Sequence, residues 1–277
     1  MIYTSEELQR LHEIELDILR EVIRVCEENE ISYFTFGGTT LGVVRHKGFI
    51  PWDDDVDIGM LRSDYDRFVS IAPKALKKGY FLQHYSTEKN TATYFAKVRK
   101  DNTEFIESHT KNIKEHHGIF VDIMPFDRVP ENDGERAKHS KKIRFLEQLF
   151  ISKTVWKASS FHGDKKKPLL TFIRSCMHIL LLPVPRKCLF NKLDRELQKY
   201  SSANTDMWAF RAWSPSECYE SDLFPVQKMP FESITVSVPN NADGVLKTNY
   251  GDYMKLPPVE KRIGHAPHRM SFDTERK

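Results

Sequence analysis

The 277-residue sequence predicts an α/β (α+β) fold in which helices and short strands alternate, a mainly helical stretch interrupts them, and a final segment returns to strand. Three observations support this. An amphipathic helix opens the chain, β-branched and aromatic runs separated by Gly and Pro follow for about 130 residues, an ordinary domain size, and helical periodicity then dominates from Asn132 to Ser221. The organisation expected is therefore an α/β core over 1–131, a helical insertion over 132–221 and a C-terminal segment over 222–277 that rejoins the core. With 40% hydrophobic and 12% aromatic residues, the chain buries a sizeable core and is not a disordered one.

Each element has a local cause. Thr4 and Glu7 form a capping box, and Leu8, Leu11, Ile14, Ile18, Val22 and Val25 recur at steps of three and four, predicting a helix to about Asn29. Ile31 to Phe36 reads as a short strand stopped by Gly37-Gly38, after which Thr39 to Arg45 suits a helical turn. Trp52 to Met60 alternates as a strand, with Asp53, Asp55 and Asp57 on one face and Asp54, Val56 and Ile58 on the other. A helix near Ser63 to Ala72 and strands at Tyr80–Gln83, Thr93–Arg99 and Gly118–Ile123 complete the first part. The helical stretch holds Ala137–Thr154 and an apolar run from Leu169 to Val184, separated by Lys165-Lys166-Lys167-Pro168. A strand is expected again at Ser233–Val238.

Several classes are excluded by composition. The 42 Lys plus Arg nearly balance 39 Asp plus Glu, a net charge of +3 that lacks the basic excess of a nucleic-acid binder. The four cysteines, Cys26, Cys176, Cys188 and Cys218, form no C-x-x-C pair and read as reduced thiols. The polar, acidic start from Met1 to Glu7 is unlike a signal peptide, so a cytoplasmic protein is expected. The run Phe172–Val184 contains Arg174 and His178 and falls short of the roughly 20 apolar residues that cross a bilayer. It reads as a buried core helix, with a membrane-surface helix as the alternative suggested by Lys165 to Lys167, Arg186 and Lys187.

The chemistry lies in the Asp strand. Carboxylates at every second residue repel one another unless a hard divalent cation such as Mg²⁺ or Mn²⁺ neutralises them. A calcium EF-hand does not fit, because Ile58 stands where its glycine is needed and Asp64 where its glutamate is. A helix starting at Gly37-Gly38 points unpaired N–H groups at an anion, and Thr39 and Thr40 add hydroxyls there. Lys97 and Arg99 share one side of their strand, which suits phosphate contact. Neither a P-loop nor a dinucleotide fingerprint occurs.

The run Phe36-Gly37-Gly38-Thr39-Thr40-Leu41-Gly42-Val43-Val44-Arg45-His46-Lys47-Gly48-Phe49-Ile50-Pro51-Trp52-Asp53-Asp54-Asp55-Val56-Asp57-Ile58-Gly59 resembles the LicD family of phosphocholine transferases, which includes the fukutin-type transferases. The likeness extends to Val121-Asp122-Ile123-Met124-Pro125 and to Asn249-Tyr250-Gly251-Asp252-Tyr253-Met254. It implies a nucleotidyltransferase-type mixed sheet flanked by helices, with the Asp-x-Asp pair on Asp55 and Asp57 and a third carboxylate on Asp122. All three are then the expected metal ligands, Asp53 a catalytic or supporting acid, and Arg45 a phosphate contact.

The same resemblance implies transfer of a phospho-alcohol, foremost phosphocholine from CDP-choline or a related CDP-alcohol, to a hydroxyl of a cell-surface glycan or teichoic acid precursor, releasing CMP. The alternatives are a nucleotidyltransferase releasing pyrophosphate, a glycosyltransferase using Asp-x-Asp, and a non-catalytic glycan-binding module. A lipid-linked acceptor would bring the protein to the inner membrane face. Choline, having no N–H to donate, calls for aromatic faces, for which Trp208 and Trp213, together with Trp156 and Tyr219, are the candidates. His46, His116, His117, His265 and His268 are weaker candidates for a base.

Overall fold

The computed structural model describes residues 3–155, 167–211 and 216–274. The chain opens with α1 (Ser5–Glu28), whose Thr4–Glu7 capping box forms as expected. There follow β1 (Phe34–Thr35), α2 (Gly37–His46), β2 (Asp57–Leu61), α3 (Arg62–Ala75), β3 (Tyr80–Gln83), β4 (Ala96–Lys100), β5 (Glu104–Ile106) and β6 (Phe120–Arg128). The next stretch supplies α4 (Asp133–Ser152), α5 (Lys167–Leu181), α6 (Arg186–Leu197), β7 (Met207–Phe210), β8 (Cys218–Tyr219) and α7 (Glu220–Leu223). Then come β9 (Gln227–Phe231), β10 (Ile234–Val238), α8 (Ala242–Tyr250) and β11 (Arg269–Ser271).

One mixed sheet organises the molecule, in the order β1-β2-β6-β4-β3, with β7 pairing β6 and β8 pairing β7. Among the described strands only β2 and β6 run parallel, and they set Asp57 opposite Asp122. The β4 register sets Lys97 opposite Asp122, and β3 sets Gln83 opposite Lys97. Because paired residues share a face, Asp57, Asp122, Lys97 and Gln83 form one polar row across four strands. The opposite face, with Ile58, Met60, Val98, Val121 and Ile123, packs on Leu11, Ile18, Leu19 and Val22 of α1 and Phe68 of α3. Met124 and Phe126, on the polar row's face, instead join a second core with Ile143, Leu146 and Phe150 of α4 and Leu189, Leu193 and Leu197 of α6. The helical segment thus covers the face of the sheet that bears the acids.

Three expectations need correction. The Asp strand begins at Asp57 rather than Trp52. Its β1 neighbour turns into α2 at Gly37, so residues 53–56 have no antiparallel partner, although Val56 O still accepts from Asp122 N at 2.9 Å. The stretch read as mainly helical also contributes β7 and β8, which were not expected, to the central sheet. Finally, α5 is not a buried core helix: Leu169, Phe172, Ile173, Ile179 and Leu180 are all exposed. No helix among the described residues is long and apolar enough to cross a membrane.

Candidate active site

The end of β1, the first turn of α2 and the extended lead into β2 meet at a cleft of about 370 Å³. It is lined by Gly37, Gly38, Asp53, Asp55 and Asp57, and by Asn249, Tyr250 and His265 from the C-terminal segment. The glycines are required by contact. A Cβ on Gly38 would lie 2.7 Å from Asp53 Oδ2, and one on Gly37, whose φ is +55°, would lie 3.3 Å from Asp57 Oδ2. Only glycine lets the positive end of α2 approach the carboxylates this closely. Thr39 Oγ1 accepts from Asp57 N at 2.8 Å, locking the helix to the strand.

A second cavity of about 270 Å³ lies on the other side, lined by Asp54, Asp55, Glu107, His109, Phe105, Phe120, Asp122 and His265. Asp55 and His265 line both cavities. Asp54, on the opposite face of the alternation, accepts hydrogen bonds from His265 N at 2.8 and 2.9 Å and pairs with its Nδ1 at 2.9 Å, and Tyr3 donates its hydroxyl to it. Ligand atoms of Asp53, Asp54, Asp55 and His265 all lie within 4.8 Å of one another.

The electrostatics follow from burial. Asp57 Oδ1 is buried without a hydrogen-bond partner. Burial first, then the charges of Asp55 and Asp122, push the Asp57 carboxyl well above the usual carboxylate range. Burial and then the Asp53 charge raise Asp55 to about 7, and burial and then the Asp54 charge raise Asp53 to about 6. Asp122 is raised by burial against the opposing pull of Lys97, whose Nζ lies 2.9 Å from its Oδ1 and 3.5 Å from Glu107 Oε2. His265 moves up to about 10, chiefly through its hydrogen bond to Asp54, so it stands at neutral pH as a cation among acids rather than as a base.

The structure brings together Gly37, Gly38, Asp53, Asp55 and Asp57 in one cleft and sets Asp122 beside Asp57 in the sheet. Asp122 faces the second cavity, drawn there by Lys97, so the three expected metal ligands are divided between two spaces bridged by Asp55. Other candidates lie elsewhere. Lys97 is buried, its ammonium held by Asp122 and Glu107 and resting 3.4 Å from the Phe120 ring centroid. Arg99 is fully buried and donates to Gln83 Oε1 and Gly118 O, which leaves it to hold β3 and the β6 approach rather than reach a phosphate. Thr40 is buried and donates to Thr35 Oγ1. Arg45 sits at the far end of α2 and donates to Tyr253 O at 2.5 Å, fastening the C-terminal segment.

Trp208 is a core residue of β7, with its indole N–H donated to Glu220 and its ring covered by Arg128 at 4.9 Å, so no face is free for choline. Trp156 and Trp213 lie outside the described residues, and Tyr219 is exposed beside α7. Sequence reasoning gave no role to Glu107, Asn249, Tyr250 or Glu15. Glu15, buried on α1 and raised well above the usual range by burial and then by Asp55, had left a signal: it stands in the apolar stripe between Leu11 and Ile18. Glu107 left none.

Residues 30–155 match the family model described as LicD/FKTN/FKRP, nucleotidyltransferase domain. The chain thus carries a LicD-family domain over those residues. Among relatives, it is 28% identical over 254 residues to the lipopolysaccharide cholinephosphotransferase LicD of Haemophilus influenzae, covering 90% of this chain and 92% of that protein. An uncharacterized protein of Rickettsia prowazekii is 30% identical over 118 residues, 42% of this chain and 40% of its own. Human ribitol 5-phosphate transferase FKRP is 44% identical over 45 residues, 16% of this chain and 9% of its own. The match to the Haemophilus protein therefore extends beyond the acid cleft through the helical segment, whereas the match to FKRP is local.

Proposed function

We propose that this chain transfers phosphocholine from CDP-choline to a hydroxyl of a lipopolysaccharide-type glycan and releases CMP. The observation that carries the reading is the approach of Gly37 and Gly38 to Asp53 and Asp57, which sets a helix N-terminus and a row of acids on one cleft. The near full-length likeness to the Haemophilus cholinephosphotransferase supplies the alcohol and the acceptor class.

A divalent cation, Mg²⁺ or Mn²⁺, fits the residues present: Asp57 Oδ1 is buried and unpartnered, and burial and mutual charge raise the Asp53, Asp55 and Asp57 carboxyls, a penalty on their ionised forms that a cation would relieve. Asp55 and Asp57 would hold it, with Asp122 adjacent in the sheet, and it would supply neutralisation of charge on the transferred phosphoryl group. The first-turn N–H groups of α2 orient the donor phosphates. Asp53, raised to about 6, takes the proton of the acceptor hydroxyl. The acceptor oxygen bonds to the choline-bearing phosphorus, the bond from that phosphorus to the bridging oxygen breaks, and CMP leaves with both electrons.

The test is CMP release from CDP-choline and CDP-ribitol with lipopolysaccharide and teichoic acid precursors as acceptors, with and without chelator. CDP-choline with lipopolysaccharide is expected to be the best pair and chelator to stop it. Pyrophosphate among the products would turn the reading towards nucleotidyl transfer, and a preference for CDP-ribitol would remove choline.

A further inference from the structure

The exposed face of α5 has no role in the cleft. Leu169, Phe172, Ile173, Ile179 and Leu180 stand out on it at helical spacing, with Phe172 67% and Leu180 75% exposed, and Leu182 continues the surface. The opposite side is tied to α4: Arg174 donates to Gln148, His178 pairs with Ser152 O, and Lys153 caps the last turn through Leu181 O and Leu182 O. On α4 itself, Lys141, Arg144, Phe145 and Gln148 follow at i, i+3, i+4 and i+7, so an exposed basic and aromatic stripe runs beside α5.

Charge identifies what covers this face. From Asp133 to Lys199 there are 16 Lys and Arg against six Asp and Glu, an excess of ten in a chain whose net charge is +3, so the remainder is acidic by seven. Lys138, Lys141, Arg144, Lys187, Lys192 and Arg195 are exposed. Arg186 is not part of this set, since it turns inward to Lys89 O and Thr91 O. An apolar helix face lying beside the basic stripe of α4, in a segment with this basic excess, matches an anionic lipid surface, in which the apolar side chains enter the acyl boundary and the cations meet headgroups. A second copy of the chain fits poorly, because it would bring two such basic segments together.

We infer that α5, with the adjoining stripe of α4, docks this enzyme on an anionic membrane surface. The reading rests on charge and exposure, not on the identity of the donor, and its test uses binding without turnover, so its failure is distinct from failure of the proposed reaction. The full chain is floated with phosphatidylcholine vesicles with and without phosphatidylglycerol, at low and high salt. Binding is expected only with phosphatidylglycerol and is expected to weaken with salt. Phe172→Glu with Leu180→Glu should lower it by more than about tenfold, and Lys141→Glu with Arg144→Glu should lower it without changing the apolar face. Both variants should keep the wild-type melting temperature and CMP release with a water-soluble acceptor. Absence of binding at low salt, unchanged binding in both variants, or a solution dimer that Phe172→Glu dissociates would overturn the inference.

Discussion

The acidic cleft and the basic helical segment place opposite charge under opposite conditions. Around β2 and β6 the acids are drawn inward, several with carboxyls raised by burial, and one oxygen of Asp57 has no partner. On α4 and α6 the cations are mostly outward, where water screens them and each contributes little to folding. Crowded buried charge opposes folding, so the cleft is held by geometry: the glycine contacts, the Thr39 bond and the anchoring of Asp54 by His265. Exposed charge of one sign costs little and serves attraction at a distance.

Asp57→Asn should break the comparison most sharply. Replacing it removes a buried carboxyl whose ionisation burial and the neighbouring acids oppose, so stability should not fall, while CMP release falls on the order of a thousandfold. Thermal melting and turnover are measured on the same preparation. Near-normal activity at saturating Mg²⁺ would remove Asp57 from the site.

A smaller effect separates buried cations from exposed ones. Lys97→Met leaves Asp122 and Glu107 facing one another in a buried setting, and should cost about 3 kcal/mol in denaturant unfolding. Lys141→Met, on the exposed face of α4, should change stability by less than about 0.5 kcal/mol. Equal costs would mean that the two regions do not differ as their burial implies.

What was legible in the sequence follows the same division. Asp53, Asp55, Asp57, Gly37 and Gly38 could be read because the cleft's first wall is local: a strand period of two and a turn only 15 positions before Asp53 fix it. Tyr80–Gln83 was legible residue for residue as β3. By contrast, His265 reaches Asp54 across 211 positions, and Asn249 and Tyr250 arrive through α8, contacts that no local pattern encodes. The strand β7 was lost because four apolar residues do not separate strand from buried helix by period alone. Periodicity found α5 but could not say whether a neighbour covers it. Arg99 and Trp208 misled for one reason: their residue types suit phosphate and choline, but their strands lie inside the sheet, where both side chains are satisfied internally.

The last test concerns pH and metal together. Asp53 and Asp55 keep their protons in the folded chain to about 6 and about 7, above the ordinary carboxylate value of 3.8. Between the ordinary value and these, the folded state binds more protons than the unfolded one, so the stability they contribute is present at low pH and is lost as pH rises through that window. Asp54, held low by His265 and Tyr3 against its burial, titrates below that window and does not offset the loss. With chelator present, the cleft's contribution should fall on the order of 4 kcal/mol between about pH 5 and pH 8. Mg²⁺ competes with those protons, so the stabilisation it confers should grow over the same interval, and Asp57→Asn should reduce both slopes. Melts at the two pH values with chelator and with Mg²⁺ measure this directly. A chelated protein that gains stability from the cleft as pH rises, or Mg²⁺ stabilisation that is flat with pH, would mean that the acids do not share the coupled, buried charge their positions imply.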